Sequence, residues 1–130
     1  MRSFFTCLAL CAGPAFASDC WVAANFVGHS AQADREYQFA RDNFSDGMRI
    51  CFTEEGGIVT GSDLQLYRFG ISTLIGYGSN GHGLETVNVY QIDRERQKLL
   101  LSQSRMGTDT VTSLLPDYAA TFVADVVPAP

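Results

Sequence analysis

A short glycine-rich segment holds the residues with the clearest potential for chemistry. Ser79 and His82 lie close together within Gly76–Gly83, and a serine hydroxyl beside an imidazole is the pair that many hydrolases use for nucleophilic attack. Asp63 or Asp93 would orient the imidazole. Neighbouring loop residues rarely meet this geometry, however, and the strained G-x-S-x-G turn is absent. We therefore expect a non-enzymatic protein, with a small hydrolase using His82 and Ser79 as the alternative.

The same segment matches the G-x-G-x-x-G fingerprint of dinucleotide sites. That fingerprint works where it opens a helix inside a βαβ unit, whereas the residues from Glu85 onward are β-branched and typical of a strand. We interpret the segment as a loop between two strands, in which glycines allow positive φ. No cofactor is expected, and the candidate binding loop consists of Gly76, Tyr77, Gly78, Ser79, Asn80 and His82.

The N-terminal segment has the features of a signal peptide. Arg2 supplies a positive charge, an apolar run follows, and Ala15 and Ala17 place small residues where a signal peptidase reads them. We predict cleavage after Ala17, which leaves a single domain over residues 18–130. The expected location is therefore periplasmic or secreted.

Cys20 and Cys51 are the two cysteines that remain after this cleavage. Thiols of exported chains meet an oxidising compartment, so we predict a disulfide between them. A redox-active site would require a C-x-x-C pair or an activated thiolate, which this spacing does not offer. The chain-entropy model gives the bridge about 3.7 kcal/mol of stabilisation.

The remaining metal-binding patterns are weak. His29 and His82 have no partner at a standard ligand spacing. Asp42–Gly47 resembles the start of a calcium loop, but Phe44 occupies the third position and Thr53 the twelfth, where oxygen ligands are required. We expect an ordinary turn there and no metal site.

Charge and hydropathy limit the partners. The chain has 14 acidic and 9 basic side chains, with a formal net charge of -5, so electrostatics do not favour binding to phosphate backbones. No apolar stretch reaches the about 20 residues that a membrane-spanning helix needs. An unidentified protein or small ligand is the expected partner, and the oligomeric state stays open.

The elements that must position these residues are predicted to be strands. Met48, Ile50 and Phe52 alternate with polar positions, which is the period of a strand with one face in a core. Cys51 would point away from that face, and the segment around Cys20 would run beside or across this strand. Gly56–Gly57 would form the following hairpin turn through positive φ.

Further β-rich or apolar runs continue to the C-terminus, separated by Gly, Asp or Pro. They predict an all-β, mainly antiparallel barrel or sandwich of about 7–9 short strands. The clearest hairpin joins Thr86–Ile92 to Lys98–Met106 through Asp93–Gln97, whose alternating charges predict a solvated loop tip. The runs are Leu64–Phe69, Ile71–Tyr77, Leu84–Ile92, Lys98–Met106, Thr110–Leu115 and Ala119–Val127.

Residues 30–44 fit two patterns. Ala33, Tyr37, Ala40 and Phe44 would form a helical stripe, which leaves one short helix within residues 31–43 as an alternative. The loop that follows leads directly into the strand at Met48, so we predict a strand over residues 36–42.

Four aromatic residues fall on the predicted strands: Tyr67, Phe69, Tyr77 and Tyr90. They would suit a ligand cavity or a glycan-binding surface, but core packing and cross-strand pairing are the simpler interpretation in a small β-domain. The sequence as a whole predicts an exported binding or interaction domain.

Overall fold

The structure is a computed structural model that describes residues 19–81, 83–107 and 117–130. The predicted signal peptide, the predicted strand Thr110–Leu115 and His82 lie outside these residues. The described part confirms an all-β antiparallel fold with nine strands and one 3₁₀ turn, Ala33–Arg35. The strands are β1 (Asp19–Gln32), β2 (Ala40–Phe44), β3 (Met48–Phe52), β4 (Gly57–Val59), β5 (Gln65–Phe69), β6 (Thr73–Ser79), β7 (Glu85–Asp93), β8 (Lys98–Met106) and β9 (Tyr118–Ala129).

The sheet curls into a nearly closed barrel. Strands β5 to β9 each pair antiparallel with the next, and β9 pairs with β1 along almost its whole length. β2 and β3 follow one another along the other edge of β1, and β3 pairs with β4. β4 and β5 meet through a bridge between Gly56 and Tyr67, which completes the circuit. Barrel and sandwich were both expected, and the pairing gives the barrel.

The barrel interior is filled with apolar side chains. Alternate residues of each strand point inward, and an aromatic cluster forms where β1, β2 and β9 meet. The ring centroids of Phe26 and Phe44 are 4.3 Å apart, and Phe122 contacts both rings edge-on. The largest fully buried hydrophobic residues are Tyr90, Phe26, Ile50, Leu74, Leu99, Leu101 and Val126.

β1 changes its inward face at a bulge. Its register with β9 shifts between Ala24 and Val27, so two residues of β1 face one of β9. Trp21 and Ala23 are buried before the bulge and Phe26 after it. Asn25 lies at the bulge with φ of 59°, a left-handed conformation that asparagine tolerates better than most residues. The bulge therefore lets one long strand bury both of its halves.

The bulge gives a prediction with a matched control. Asn25→Ala should lower the free energy of unfolding by about 1 kcal/mol, because alanine is strained at positive φ. Asn25→Gly should change it by less than about 0.5 kcal/mol, since glycine adopts this conformation freely. Urea denaturation of both variants measures the difference. Equal losses would assign the role of Asn25 to its side chain, which also bonds to Asp125.

The disulfide between Cys20 and Cys51 is confirmed. The two residues are direct cross-strand partners of β1 and β3, with Cα atoms 4.0 Å apart. Ile50 and Phe52 are buried on the opposite face of β3, as the alternation predicted. The bridge therefore lies on the outer surface of the barrel and ties the beginning of β1 to its neighbour.

The predicted strand over residues 36–42 is only partly correct. The chain leaves β1 through the 3₁₀ turn, and Glu36 and Tyr37 have φ of 54° and 58°. These values end any extended conformation, so strand β2 begins at Ala40. Tyr37 donates a hydrogen bond to Asp117 Oδ2 at 3.1 Å, a contact distant in sequence that the local pattern does not contain.

The hairpin between β3 and β4 is confirmed, but its glycines serve another purpose. Neither Gly56 nor Gly57 has positive φ; among the described glycines that conformation occurs at Gly61, Gly70, Gly81 and Gly83. A Cβ atom on Gly56 would lie 2.5 Å from the carbonyl oxygen of Leu66, and one on Gly57 would lie 2.6 Å from Leu74. Close approach of β4 to β5 and β6 therefore requires these glycines.

One end of the barrel is closed by a charged cap. Arg94 donates two hydrogen bonds to Asp19, at 3.0 and 2.8 Å. Its guanidinium carbon lies 5.5 Å from the Trp21 ring centroid and 5.3 Å from that of Phe52, and Arg68 covers the Phe52 ring at 5.1 Å. The charged loop tip after β7 was predicted to be solvated, which is wrong for Arg94. We call this the capped end and the opposite one the open end.

Within residues 19–81, 83–107 and 117–130, no helix is long and apolar enough to cross a membrane.

Candidate binding site

The predicted binding loop is mostly strand. Gly76–Ser79 belong to β6 and pair with β7, and Gly76 and Tyr77 pair with β5 as well. The connection between strands therefore starts only at Asn80. The backbone groups of Gly76 and Gly78 are therefore engaged in the sheet and do not form a flexible loop. Tyr77 points outward with 46% of its surface exposed, and His82 lies outside the described residues.

The glycines of β6 make room for two leucines. A Cβ atom on Gly76 would lie 2.8 Å from Leu66 Cδ2, and one on Gly78 would lie 2.6 Å from Leu64 Cδ2. Both glycines face the barrel interior, because Gly76 is buried two residues after buried Leu74 and Gly78 follows at the next alternate position of the strand. Leu64 thus packs directly on the strand and forms a wall at the open end.

The turn after β6 is held by its own side chains. Asn80 Oδ1 accepts a hydrogen bond from the backbone of Leu84 at 3.1 Å, and Ser79 Oγ accepts one from Gly81 at 3.3 Å. Gly81 and Gly83 have φ of 76° and 97°. Positive φ was predicted for this segment, and it occurs at these two glycines.

A first cleft brings the candidate loop beside Asp63. It has a volume of about 210 Å³ and lies between the β4–β5 connection and the end of β6. Three of the six candidate loop residues line it together with Asp63 and neighbouring side chains. The lining residues are Asp63, Leu64, Gly78, Ser79, Asn80, Leu84 and Thr86.

A second cleft of about 250 Å³ shares Asp63, Leu64 and Thr86 with the first and reaches the barrel interior. Its floor contains Asn88, which is 8% exposed, and Tyr90, which is 1% exposed. We call the two clefts together the end cleft. Its second part is lined by Met48, Val59, Thr60, Gly61, Ser62, Asp63, Leu64, Thr86, Asn88, Tyr90 and Gln103.

The end cleft is polar because the inward side chains of β7 and β8 change from apolar to polar along the barrel axis. On β7 the inward side chains run from Ile92 and Tyr90 to Asn88 and Thr86, and on β8 apolar leucines are followed by Gln103. Asn88 and Gln103 are direct cross-strand partners. The polar groups therefore gather at the open end, opposite the cap.

Tyr90 and Asn88 form a hydrogen-bonded floor. Asn88 Nδ2 donates to the Tyr90 hydroxyl oxygen at 3.1 Å. Burial raises the pKa of Tyr90 above its ordinary value of 10.0, although hydrogen bonds from Asn88 and Ser62 act in the opposite direction. The tyrosine is therefore protonated throughout the physiological pH range, and its hydroxyl is available as a neutral donor and acceptor.

A charged group lies next to the end cleft, on the same inward phase of β8 as Leu101 and Gln103. Arg105 is the cross-strand partner of Thr86, and its guanidinium carbon lies 5.5 Å from the Tyr118 ring centroid. Burial and the nearby charge of Asp42 raise the pKa of Tyr118, while Arg105 lowers it. Arg105 is thus engaged in a cluster with Tyr118 and Asp42 at the rim of the barrel.

The residues of the hydrolase hypothesis are separated in part. Ser79 and Asp63 line the same cleft, and the position of His82 is outside the described residues. Asp93 lies at the other end of β7 from Glu85, the partner of Ser79, about 26 Å away at the rise of a strand. Asp93 instead accepts hydrogen bonds from Arg96. It cannot orient a histidine beside Ser79, whereas Asp63 stays compatible with that role.

The four aromatic residues divide between the two faces of the sheet. Tyr67, Phe69 and Tyr77 point outward and are 46% to 56% exposed, so the core-packing interpretation is wrong for them. Tyr77 pairs across the strands with Val87, as the cross-strand interpretation predicted. Tyr90 alone among the four lies in the interior, where it lines the end cleft.

The sequence interpretation missed Ser62, Thr86, Asn88 and Gln103 as site residues. Ser62 lies in the connection between β4 and β5 and left no such pattern. The signal of the other three was present in the alternation of β7 and β8, where polar residues are in phase with buried Tyr90 and Leu101. A polar residue on the inward phase of a strand indicates either a buried hydrogen bond or a cavity. Here it indicates both.

No protein-family model, curated protein or solved structure matches this chain. Its function is therefore inferred from the geometry of the end cleft.

Proposed function

We propose that this protein is an exported, non-enzymatic binding protein that holds a small polar ligand in the end cleft. The observation that supports this most is the row of inward polar side chains, Thr86, Asn88 and Gln103, beneath an opening in a barrel whose buried core is mainly apolar. Inward polar groups lower stability unless they form hydrogen bonds, and a ligand would supply such partners. The mouths of β-barrels are also frequent ligand sites.

The packed interior sets the size of the ligand. Below Tyr90 the barrel is filled by Leu74, Leu99 and Leu101, each at most 1% exposed. A long acyl chain would find no tunnel between these side chains. The ligand is therefore confined to the open end, in clefts smaller than the ~300–1,000 Å³ typical of sites for drug-sized molecules.

The disulfide supports a location outside the cytoplasm. It is formed between paired strands, and such bridges persist in oxidising compartments. Together with the predicted signal peptide, this favours the periplasm or the extracellular space. A binding protein in either compartment would meet small polar solutes directly.

A ligand screen with a blocking variant tests this function. Thermal unfolding would be followed against a panel of sugars, amino acids, amines, nucleosides and carboxylates. We expect a saturable rise in melting temperature for one class, equivalent to about 2.7 kcal/mol at a hundredfold excess over Kd. Thr86→Trp, which fills the end cleft, should abolish it.

Gln91→Trp is the matched control, because Gln91 is exposed on the outer face of the same strand. It should leave the ligand response unchanged. A response that survives in Thr86→Trp would place the binding site elsewhere, and catalytic turnover of a panel compound would replace the binding function with an enzymatic one.

A further inference from the structure

We propose that the end cleft selects a neutral, hydroxyl-rich ligand of about monosaccharide size. This inference depends on the proposed function and adds the chemical class of the ligand. It follows from three properties of the lining: the kind of polar group, the position of charge and the distribution of apolar surface.

Apart from the exposed carboxylate of Asp63, the polar side chains of the second cleft are hydroxyls and carboxamides. Ser62, Thr86 and Tyr90 contribute hydroxyl groups, and Asn88 and Gln103 contribute side-chain amides. Each of these groups both donates and accepts hydrogen bonds. A ligand hydroxyl has the same double capacity, so a molecule with several adjacent hydroxyls matches this lining without leaving a donor or an acceptor unpaired.

Charge is kept away from the floor of the cleft. Among the described lining residues of both parts, Asp63 is the one charged side chain, and it is exposed at the rim. An ionised ligand at the floor, beside Asn88 and Tyr90, would lose hydration without meeting an opposite charge. An anion would in addition be repelled by Asp63. Arg105 follows Gln103 on the inward phase of β8. Its guanidinium lies over the Tyr118 ring, and it is not among the lining residues of either cleft.

Apolar surface borders the polar floor on two sides. Leu64 and Met48 line the second cleft, and their side chains would contact the C–H faces of a sugar or cyclitol ring. The Tyr90 ring is 1% exposed and is therefore not a stacking platform. The match is thus to a small ring with several hydroxyls, and a large aromatic ligand would gain little contact.

Isothermal titration calorimetry of the full mature chain tests the class of ligand. The neutral probes are glucose, galactose and myo-inositol, and the charged probes are spermidine and citrate. We expect saturable binding of at least one neutral probe and none of the charged ones. Saturation at millimolar concentration separates binding from the general stabilisation that high sugar concentrations give by exclusion from the surface.

Two isosteric variants locate the binding. Thr86→Val removes one hydroxyl from the cleft without changing its volume, and should raise Kd about fivefold, the effect of losing one hydrogen bond of ~1 kcal/mol. Thr121→Val makes the same change on the outer face of β9, where Thr121 is exposed, and should leave Kd unchanged. Equal affinities of the two variants would overturn the assignment of the hydroxyl-binding group.

The remaining outcomes separate the two proposals. Saturable binding of spermidine or citrate that is abolished by Thr86→Trp would overturn the neutral class and retain the proposed function. A response in the wider screen to an ionised compound alone would do the same. Absence of a saturable response to every compound in both experiments would overturn both proposals.

Discussion

Removal of the Cys20–Cys51 disulfide is expected to lower the free energy of unfolding by about 3.7 kcal/mol. The bridge closes a loop with a sequence separation of 31, and the chain-entropy model gives this value for the constraint on the unfolded chain. A typical domain has a margin of ~5–15 kcal/mol. The reduced protein should therefore unfold at much lower denaturant concentration, although the folded state keeps the same strand pairing.

The measurement compares the wild type with the Cys20→Ala/Cys51→Ala double variant in urea. Wild-type protein unfolded with a reductant is the second comparison, and it should agree with the double variant because both lack the covalent constraint. Far-ultraviolet circular dichroism should show unchanged strand content before unfolding. A loss below about 1 kcal/mol in both samples would contradict the entropic argument and indicate that the unfolded chain keeps Cys20 near Cys51 without the bridge.

Local alternation was sufficient to predict most of the strands. β8 was predicted with its observed bounds, Lys98–Met106, and the hairpin that joins it to β7 was predicted as well. The position of Cys51 opposite the buried face of β3 followed from the same period. These features depend on residues close together in sequence, where side-chain direction alternates with certainty.

The features that sequence reasoning missed depend on distant contacts. β1 was not recognised as a strand of 14 residues, because the bulge at Asn25 changes the phase of its alternation halfway along. The extension of β6 to Ser79, beyond the predicted run Ile71–Tyr77, was missed because Gly76 and Gly78 favour loops in isolation. Here the space above these glycines is taken by Leu64 and Leu66, which come from the preceding strand and its connection.

The candidate site was missed for the same reason. Asn88 and Gln103 were interpreted only as members of β-rich runs. Their position at the open end depends on the near closure of the sheet between β4 and β5. Arg94 was interpreted as part of a solvated loop tip. Its role depends on Asp19, which is 75 residues away in sequence. A local charge pattern cannot reveal such a partner.

Replacement of Arg94 at the capped end is expected to have the second large effect on stability. Arg94→Met should lower the free energy of unfolding by about 2 kcal/mol, because it removes two charge-assisted hydrogen bonds to Asp19 and the stacking on Trp21 and Phe52. The estimate is below that for a fully buried pair, since both side chains are about 30% exposed, Arg94 at 32% and Asp19 at 29%. Urea denaturation near pH 7 measures it.

Arg96→Met is the matched control, because Arg96 lies in the same turn and pairs with Asp93 at 3.0 Å. Its side chain is 76% exposed, and exposed pairs contribute little to stability. This variant should therefore change the free energy of unfolding much less than Arg94→Met does. Similar losses in the two variants would contradict a cap that depends on the contacts of Arg94.

The cap also predicts a dependence of stability on pH. The hydrogen bonds from Arg94, the largest cause, hold the pKa of Asp19 below its ordinary value of 3.8. A carboxylate with a lowered pKa in the folded state stabilises the fold above its unfolded pKa, and this contribution is lost as the pH falls through the folded value. The stability difference between wild type and Arg94→Met should thus be constant above about pH 5 and shrink below pH 3.8. Asp93 and Asp125, whose pKa values are also lowered by other partners, titrate in both proteins and cancel from the difference. A difference that stays constant down to pH 2 would show that Arg94 stabilises the capped end through contacts that do not titrate, namely its stacking on Trp21 and Phe52 and its hydrogen bonds to Ser72 and Ile71.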